Sequence, residues 1–475
     1  MKTYQNPLVG RYASDNMSEL FSENHRIRTW RRMWIALAEA EKELGLKISN
    51  KQINELKKFA DKLNIPAAKK IERQVRHDVM AHVLAYGKQA KSAAQIIHLG
   101  ATSCFVTDNA DLIIYRDALR LISDRLVDVI RSLSKFASRE RKRPAQGFTH
   151  LQPAQLTTVG KRASLWLHDF QLDFEQLSFL LSKLKFRSIK GATGSQASFL
   201  ELFKGNHKKV KSLEKKIAAK FKFPDFYPVC GQTYPRKVDA DILACLAGIA
   251  LSVSKMTNDI RYLQSIRELE EPFGKKQIGS SAMAYKRNPM RCERADSLAR
   301  LILSFASSPQ ITAATQFLER TLDDSANRRI SMPEAFLAAD AILLIMENVA
   351  SGLVVYPKII ARRVQETLPF IATEAILMLA VKKGKSRQEV HERIRTHAMA
   401  ATMKIRNGEK NNLVELMAAD PEIGLAKQEI IKELDPKRCV GRAPEQTEEY
   451  INNYIKPILK TYKRYFTADK SVVKY

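Results

Sequence analysis

The chain has 475 residues, of which 45% are hydrophobic and 27% charged; with only 18 Gly and 17 Pro, this composition favours a globular protein with a large core and argues against a strand-rich meander. Its formal net charge of +28 is open to three explanations: nucleic-acid binding, anionic small substrates or a lysine-rich proteome. The lysines cluster at residues 204–222 and 456–474, and we find no interleaved aromatic platform and no nucleic-acid-binding signature there. This pattern favours a solvated basic surface and no specific nucleic-acid partner.

The five cysteines are odd in number and none has metal-ligand spacing, so we expect reduced thiols in a cytoplasmic protein. Residues 1–16 are polar and lack the apolar core of a signal peptide. The most apolar stretch, residues 341–356, contains Glu347 and Asn348 and predicts a buried helix, with no membrane span. Because the common phosphate-loop, dinucleotide and zinc motifs are absent from the sequence, we expect no cofactor and no metal.

Helical periodicity dominates the sequence in chain order. Apolar residues from Trp30 to Leu44 mark one helix face, with Gly45 as a stop signal. The pattern repeats over residues 119–136, and over residues 238–263 it continues for seven turns, as in bundle helices. Residues 165–184 are apolar on more than one face, which predicts a central helix. The sequence lacks clear strand alternation and predicts an all-α fold.

Short polar segments lie between these helices and include two candidate reactive loops. Residues 277–290 combine small residues, hydroxyls, a lysine and an asparagine that could bind carboxylates or a developing oxyanion, although alone they are more typical of a surface loop. In residues 147–155, His150 is a candidate acid or base because its pKa is ordinarily near neutrality. The alternative is a histidine that only caps a turn.

Two further segments carry charged candidates. In residues 76–82, Asp78 could orient an imidazole, or could simply begin a solvated helix. In residues 318–329, two arginines and a serine offer donors suited to a phosphate; the alternative is a charge-paired helix entrance capped by Asp324 or Ser325.

Taken together, these segments resemble a known family. Residues 279–289 are similar to the signature loop of the fumarase/aspartase superfamily, Gly-Ser-Ser-x-x-Pro-x-Lys-x-Asn-Pro, with Ala284 in place of the usual proline. That change should loosen the loop slightly but removes no reacting group. Seven other segments resemble the adenylosuccinate lyase family, in the version found in animals and some bacteria, and occur in its order: residues 11–12, 76–82, 98–103, 147–162, 191–199, 231–234 and 318–329.

The resemblance extends from about residue 11 to about residue 446 and implies an architecture. It implies three helical domains, at residues 1–102, 103–356 and 357–475, in an all-α chain. The long helices of the central domain would assemble into the twenty-helix core of a homotetramer, with each active site built from three subunits.

The resemblance also implies a reaction. This is the β-elimination of fumarate from adenylosuccinate, giving AMP, and from the succinylated aminoimidazole carboxamide ribotide, giving AICAR, in purine nucleotide biosynthesis. Ser280 would be the base and His150 the acid, with His77 supporting the acid and Lys286 activating the serine. The expected substrate-binding residues are Arg11, Tyr12, Arg76, Asp78, Thr102, Ser103, Thr149, Gln232, Asn288, Arg294, Arg320, Ser325 and Arg329.

Three rival interpretations remain. The chain could be another fumarate-releasing lyase such as argininosuccinate lyase, but Arg11, Arg320 and Arg329 suit a phosphate, which that substrate lacks. It could be a non-catalytic protein on the same scaffold, like the lens crystallins, but the reactive residues are present. It could be a basic nucleic-acid-binding protein, which a salt-dependent DNA titration would reveal.

Overall fold

The computed structural model describes residues 3–467, so the ends of the predicted N-terminal segment (residues 1–2) and of the second lysine-rich segment (residues 468–474) lie outside it. Within this part, twenty α-helices account for most of the chain. They are α1 Asp15–Leu20, α2 Glu23–Glu43, α3 Asn50–Phe59, α4 Ile65–Val75, α5 Asp78–Gln89, α6 Ser103–Glu140, α7 Val159–Lys183, α8 Ala197–Leu202, α9 His207–Lys220, α10 Lys237–Ser265, α11 Met290–Phe305, α12 Ser307–Ala314, α13 Asp324–Gly352, α14 Pro357–Ile371, α15 Thr373–Lys382, α16 Arg387–Arg406, α17 Leu413–Ala418, α18 Lys427–Glu433, α19 Ala443–Tyr450 and α20 Lys456–Thr461.

Short segments of other helix types complete the helical structure. Leu8–Tyr12 and Ile451–Ile455 are π-helical, and Lys91–Ile96 is a 3₁₀ helix. The prediction of an all-α fold is confirmed.

A bundle of long helices, α6, α7, α10, α11 and α13, forms the centre of the chain. The periodic residues predicted for α6 and α10, such as Leu126 and Ile249, are buried in its largest apolar cluster. Helices α6 and α7 approach closely at Gly160, where an added Cβ would lie 2.3 Å from the carbonyl oxygen of Ala137. Only glycine permits this contact between the backbones.

Two other apolar clusters flank the bundle. One joins α2, α3 and α5 to the first turns of α6 and to residues 184–234. Helix α2 begins because the Ser22 side chain accepts a hydrogen bond from the amide of His25, and it ends before Gly45, whose φ is +98°. The other cluster spans residues 372–430, whereas residues 440–455 return to the central bundle.

Four short strands depart from the helical prediction. Strand β1 (Pro144–Thr149) pairs antiparallel with β2 (Gln152–Thr158), and β3 (Leu269–Glu270) pairs with β4 (Val354–Val355). No strand pattern is visible in these residues of the sequence, because Pro144, Gly147 and a register shift in β1 interrupt the alternation of apolar and polar residues. The consequence is that His150 lies at the tip of a β-hairpin.

One apolar face of the bundle is left uncovered by the residues that the structure describes. Helix α7 buries Trp166 and Phe170 in the core, as its apolar pattern predicts. On its other face Leu165, Leu172 and Phe179 are 49%, 50% and 58% exposed, at intervals of seven residues. A seven-residue apolar repeat is typical of a helix that packs against another helix.

By length and composition alone, α10 and α13 are apolar enough to cross a membrane, and α14 with α15, bent by 42°, is a third candidate. The apolar windows of α10 and α13 are 61% and 78% buried inside the structure. Their apolar character is therefore largely accounted for by the core of the bundle.

Candidate active site

A cavity of about 1200 Å³ opens where α6, α10 and α13 begin. Its volume is suited to a ligand of nucleotide size. Eight of the predicted site residues line it: Arg76, His77, Asp78, Ser103, Gln232, Arg320, Ser325 and Arg329. Thr102 immediately precedes α6 at the edge of this group.

His77 and Asp78 are held together at the start of α5. His77 is the N-cap residue, and its Nδ1 accepts a hydrogen bond of 3.3 Å from the amide of Met80. Its Nε2 lies 3.3 Å from the Oγ of Ser103, across the cavity entrance. Arg76 has a left-handed backbone, with φ of 52°, which ends α4 just before this turn. The structure therefore brings the predicted His77 and Ser103 into direct contact.

Two of the arginines predicted to bind phosphate, Arg320 and Arg329, already contact acidic side chains. The guanidinium of Arg329 donates to Asp78 at 3.0 Å, and that of Arg320 lies 3.7 Å from Asp324 and against the sulfur of Cys104. Arg329 is exposed and Arg320 is half-buried. Both cations are accessible from the cavity and can accept a doubly charged phosphate.

A buried network of ions beneath the cavity was missed by the sequence analysis. Arg236 donates to Asp324 at 2.7 Å and to Asp108 at 3.2 Å. Burial tends to raise the pKa of Asp108, but the guanidinium groups of Arg236, Arg328 and Arg187 outweigh it and hold that pKa below its usual range. In the sequence, the one sign of this network is Asp108, a carboxylate on a helix face whose other residues are predominantly apolar.

His150 occupies the tip of the β1–β2 hairpin. His150 and Leu151 have φ values of 53° and 56°, the conformation of a type I′ turn, which normally requires glycine or asparagine. Left-handed backbone costs on the order of 1–2 kcal/mol per non-glycine residue. Both side chains and the preceding Thr149 are exposed. A strained, exposed histidine at the end of a projecting hairpin is more consistent with a functional role than with turn capping.

The signature loop lies between β3 and α11. The Oγ of Ser280 accepts hydrogen bonds from the amides of Ala282 and Met283, at 3.3 and 3.1 Å. The side-chain amide of Asn288 donates to the carbonyl of Gly279 at 2.8 Å and so joins the two ends of the loop. Lys286 is exposed. The loop therefore presents its serine and lysine away from the core of its own chain.

Three further predicted binding residues lie together outside the cavity: Arg11, Tyr12 and Arg294. The guanidinium of Arg294 lies 5.7 Å from the centre of the Tyr12 ring. Arg11 is exposed beside them, and none of the three lines the cavity.

The cavity, with His77, lies at one end of the bundle, and His150 and Ser280 lie at the other. Gln232 and Arg236 precede the first residue of α10, whereas the hairpin residue Phe148 contacts Tyr262 and the signature-loop residue Arg287 accepts from Gln264 near its last turn. Helix α10 has 29 residues and is therefore about 43 Å long. Within one chain, His150 and Ser280 cannot reach a substrate bound in the cavity.

Among residues 3–467, no group of three or more histidine, cysteine, aspartate or glutamate side chains could hold a metal ion.

Comparisons with known proteins identify the family. The family model described as "Lyase" matches residues 10–303, and the one described as "Adenylosuccinate lyase C-terminus" matches residues 369–450. The adenylosuccinate lyase of Saccharomyces cerevisiae is 50% identical, with 98% of each chain covered, and that of Schistosoma mansoni is 46% identical, with 97% of this chain and 96% of the other covered.

A solved structure supports the fold alone. The fumarate lyase from Mesorhizobium sp. BNC1 has a TM-score of 0.81 and 24% identity, covering 95% of this chain and 100% of that one. Together with the sequence relatives and the helical bundle, these matches show that the chain belongs to the adenylosuccinate lyase family of the fumarase/aspartase superfamily.

Proposed function

We propose that this chain catalyses the β-elimination of fumarate from adenylosuccinate, giving AMP, and from the succinylated aminoimidazole carboxamide ribotide, giving AICAR. This places it in purine nucleotide biosynthesis, and we assign it to the cytoplasm. The observation that carries the proposal is a nucleotide-sized cavity with two accessible arginines in a chain of this family.

Three groups are needed for this elimination. A base removes a proton from the Cβ of the succinyl group, the electron pair forms the C=C bond of fumarate, and the C–N bond breaks as the departing nitrogen takes a proton from an acid. We assign the base to Ser280 and the acid to His150. The ammonium of Lys286 and the amide of Asn288 would bind the carboxylates and stabilise the negative charge that develops on one of them.

The serine needs a changed environment to act as a base. In the single chain its loop is partly exposed and its hydroxyl accepts two backbone hydrogen bonds. Closure of the loop over bound substrate would exclude water and bring the lysine charge close to the serine oxygen, lowering the pKa of the hydroxyl. Ala284 makes the loop more flexible than the usual proline would, which should make this closure easier.

The nucleotide end of the substrate would bind in the cavity. Arg320, Arg329 and Ser325 are placed to bind the phosphate. We assign Arg11, Tyr12 and Arg294, which lie together outside the cavity, to the same end of the substrate. His77, Ser103 and Gln232 lie at the side of the cavity that we assign to the succinyl group, with Thr102 adjacent and Thr149 beside the acid. Arg76 and Asp78 complete the binding surface at the entrance.

A complete site requires more than one subunit. The cavity at one end of α10 and the reactive loops at the other are about 40 Å apart, so loops of neighbouring subunits must supply His150 and Ser280. We propose a homotetramer in which the uncovered α7 face, bearing Leu165, Leu172 and Phe179, packs in a twenty-helix core.

The direct experiment is to mix the pure protein with adenylosuccinate and to follow ultraviolet absorbance and fumarate release. The proposal predicts turnover of adenylosuccinate and none of argininosuccinate, because the cavity arginines have no phosphate to bind in the latter. Turnover of argininosuccinate alone would contradict the substrate assignment, and inactivity towards both would favour a non-catalytic protein on this scaffold.

A further inference from the structure

A fully buried arginine lies behind the cavity, outside the residues assigned so far. The Arg187 side chain is 0% exposed. Its guanidinium donates to the carbonyl oxygens of Gln232 at 2.7 Å, Gly191 at 3.0 Å and Ser188 at 3.1 Å. It therefore ties together the backbones of two segments that are more than forty residues apart in the chain.

Both segments reach the cavity. Ala192, next to Gly191, lines it, as does the side chain of Gln232. The amide of Gln232 in turn donates to the carbonyl oxygen of Glu319 at 3.0 Å, and the next residue is Arg320. A continuous series of hydrogen bonds thus connects Arg187 to one group assigned to the succinyl end and one assigned to the phosphate.

The segment that carries Arg187 is itself held rigidly. Asn109, fully buried on α6, donates to the carbonyl of Ser188 at 3.1 Å and accepts from its amide at 2.9 Å. Ser188 has a left-handed φ of 63°, which these two bonds stabilise. Lys190 forms a buried ion pair with Glu214 at 2.7 Å. Movement of the segment that directly follows Arg187 is therefore restricted.

The charge of Arg187 is used in an uncommon way. Within the part of the chain that the structure describes, its guanidinium bonds carbonyl groups and no carboxylate, although Asp108 in the cavity floor is close enough to interact with it. Burial lowers its pKa, and the negative charge of Asp108 opposes that effect. A planar guanidinium has donors fixed in several directions, and the single ammonium of a lysine cannot reproduce that geometry.

We infer that Arg187 is a positioning residue for the elimination reaction, which sets where Gln232 and Arg320 meet the substrate. The inference rests on the proposed function, because it assigns a role in that same site. Arg187 touches no substrate; it acts through the backbone of Gln232. Displacement of a binding group by about 1 Å can cost on the order of 100-fold in rate, so loss of this contact should be visible in the kinetics.

The experiment compares Arg187→Lys with Arg31→Lys in the full-length protein. Arg31 is a matched control: it is 2% exposed, donates to the carbonyls of Phe59 and Lys62, and does not line the cavity. We expect kcat/KM for adenylosuccinate to fall by about 30- to 100-fold in Arg187→Lys. The control should lose a similar amount of thermal stability and stay within about threefold of the unaltered protein. Equal kinetic losses in both variants would overturn the inference.

A double-mutant cycle with Gln232→Ala tests the route of the effect. Because Arg187 places both the Gln232 side chain and Arg320, Arg187→Lys should cost less once the Gln232 side chain is absent, and the loss that remains is the share carried by Arg320. An undiminished loss in that background would overturn the inference. If Arg187→Lys does not fold, Asn109→Ser loosens the same segment and should give the same kinetic pattern. Activity of the unaltered protein tests the proposed function separately.

Discussion

Adding one methyl group at Gly231 should displace the segment that carries Arg320. A Cβ built on Gly231 lies 2.4 Å from the carbonyl oxygen of Glu319 and 3.0 Å from its Cα, whereas ordinary contacts begin at about 3.4 Å. Because the atoms in conflict belong to the backbone, a side-chain rotation cannot relieve the clash. The segment must therefore retreat by roughly 1 Å, which is the difference between those distances.

The size of the effect follows from that displacement. The hydrogen bond from the Gln232 amide to Glu319 is 3.0 Å long and would stretch beyond bonding distance, at a net cost of about 1 kcal/mol. Arg320, the next residue, would move with Glu319. For a phosphate-binding group, a shift of this size should lower kcat/KM by about 30- to 100-fold, mainly through a higher KM, because the phosphate is held equally in ground and transition states.

Steady-state kinetics with adenylosuccinate measure this prediction for Gly231→Ala against Gly87→Ala. A Cβ built on Gly87, in α5, lies 3.3 Å from the Cβ of Ala94, 3.6 Å from its Cα and 3.9 Å from a methyl of Ile97, so it makes no contact under 3.0 Å and this control should keep normal kinetics. A Gly231→Ala protein with unchanged KM would refute the argument that the backbone contact positions Arg320.

Three further predictions concern the base, the assembly and a buried carboxyl group. Ser280→Ala should lower turnover by several orders of magnitude in single-turnover kinetics, while a binding titration shows that substrate still binds. Lys286→Ala should weaken both turnover and substrate binding. Near-normal turnover in Ser280→Ala would reject the base assignment. Leu172→Glu should dissociate the proposed tetramer in sedimentation experiments, whereas Ile431→Glu, at a similarly exposed position on α18, should leave its assembly unchanged. Unchanged assembly of Leu172→Glu would exclude α7 from the interface. Burial raises the pKa of Glu41 to about 9, and among residues 3–467 neither carboxyl oxygen has a hydrogen-bond partner. The folded state therefore holds a proton that the unfolded state releases above about pH 4.5, so the stability that this group contributes falls as pH rises between those two values. Glu41→Gln should therefore raise the melting temperature more at pH 8.5 than at pH 5.5, and an equal change at both would contradict a buried neutral carboxyl.

The long helices were predictable from the sequence because their apolar residues recur every three or four positions. Residues 238–263 fall within α10, and Trp30 to Leu44 follow α2 to its end before Gly45. The β1–β2 hairpin was not predictable, since Pro144 and Gly147 disrupt alternation and the strands are short. The left-handed turn at His150 has no sequence signal, because neither of its residues is glycine.

The motifs in the sequence identified the candidate residues, but they did not predict how those residues are arranged in space. No periodic pattern shows that Ser103 and His150 lie at opposite ends of a 38-residue helix, or that the cavity collects residues from six segments. Buried polar side chains such as Asp108 and Arg187 were also missed. In a sequence they are indistinguishable from charges on a solvated helix face, because only the folded structure shows what covers them.

The central claim, that each site combines groups from different subunits, is tested most directly by complementation. Ser280→Ala and His150→Ala proteins, each inactive, are mixed under conditions that allow subunits to exchange, and fumarate release from adenylosuccinate is followed. Our proposal that the two residues of each site come from different chains predicts that some hybrid sites contain both native residues and that partial activity returns. Demonstrated exchange of subunits without any return of activity would contradict shared sites.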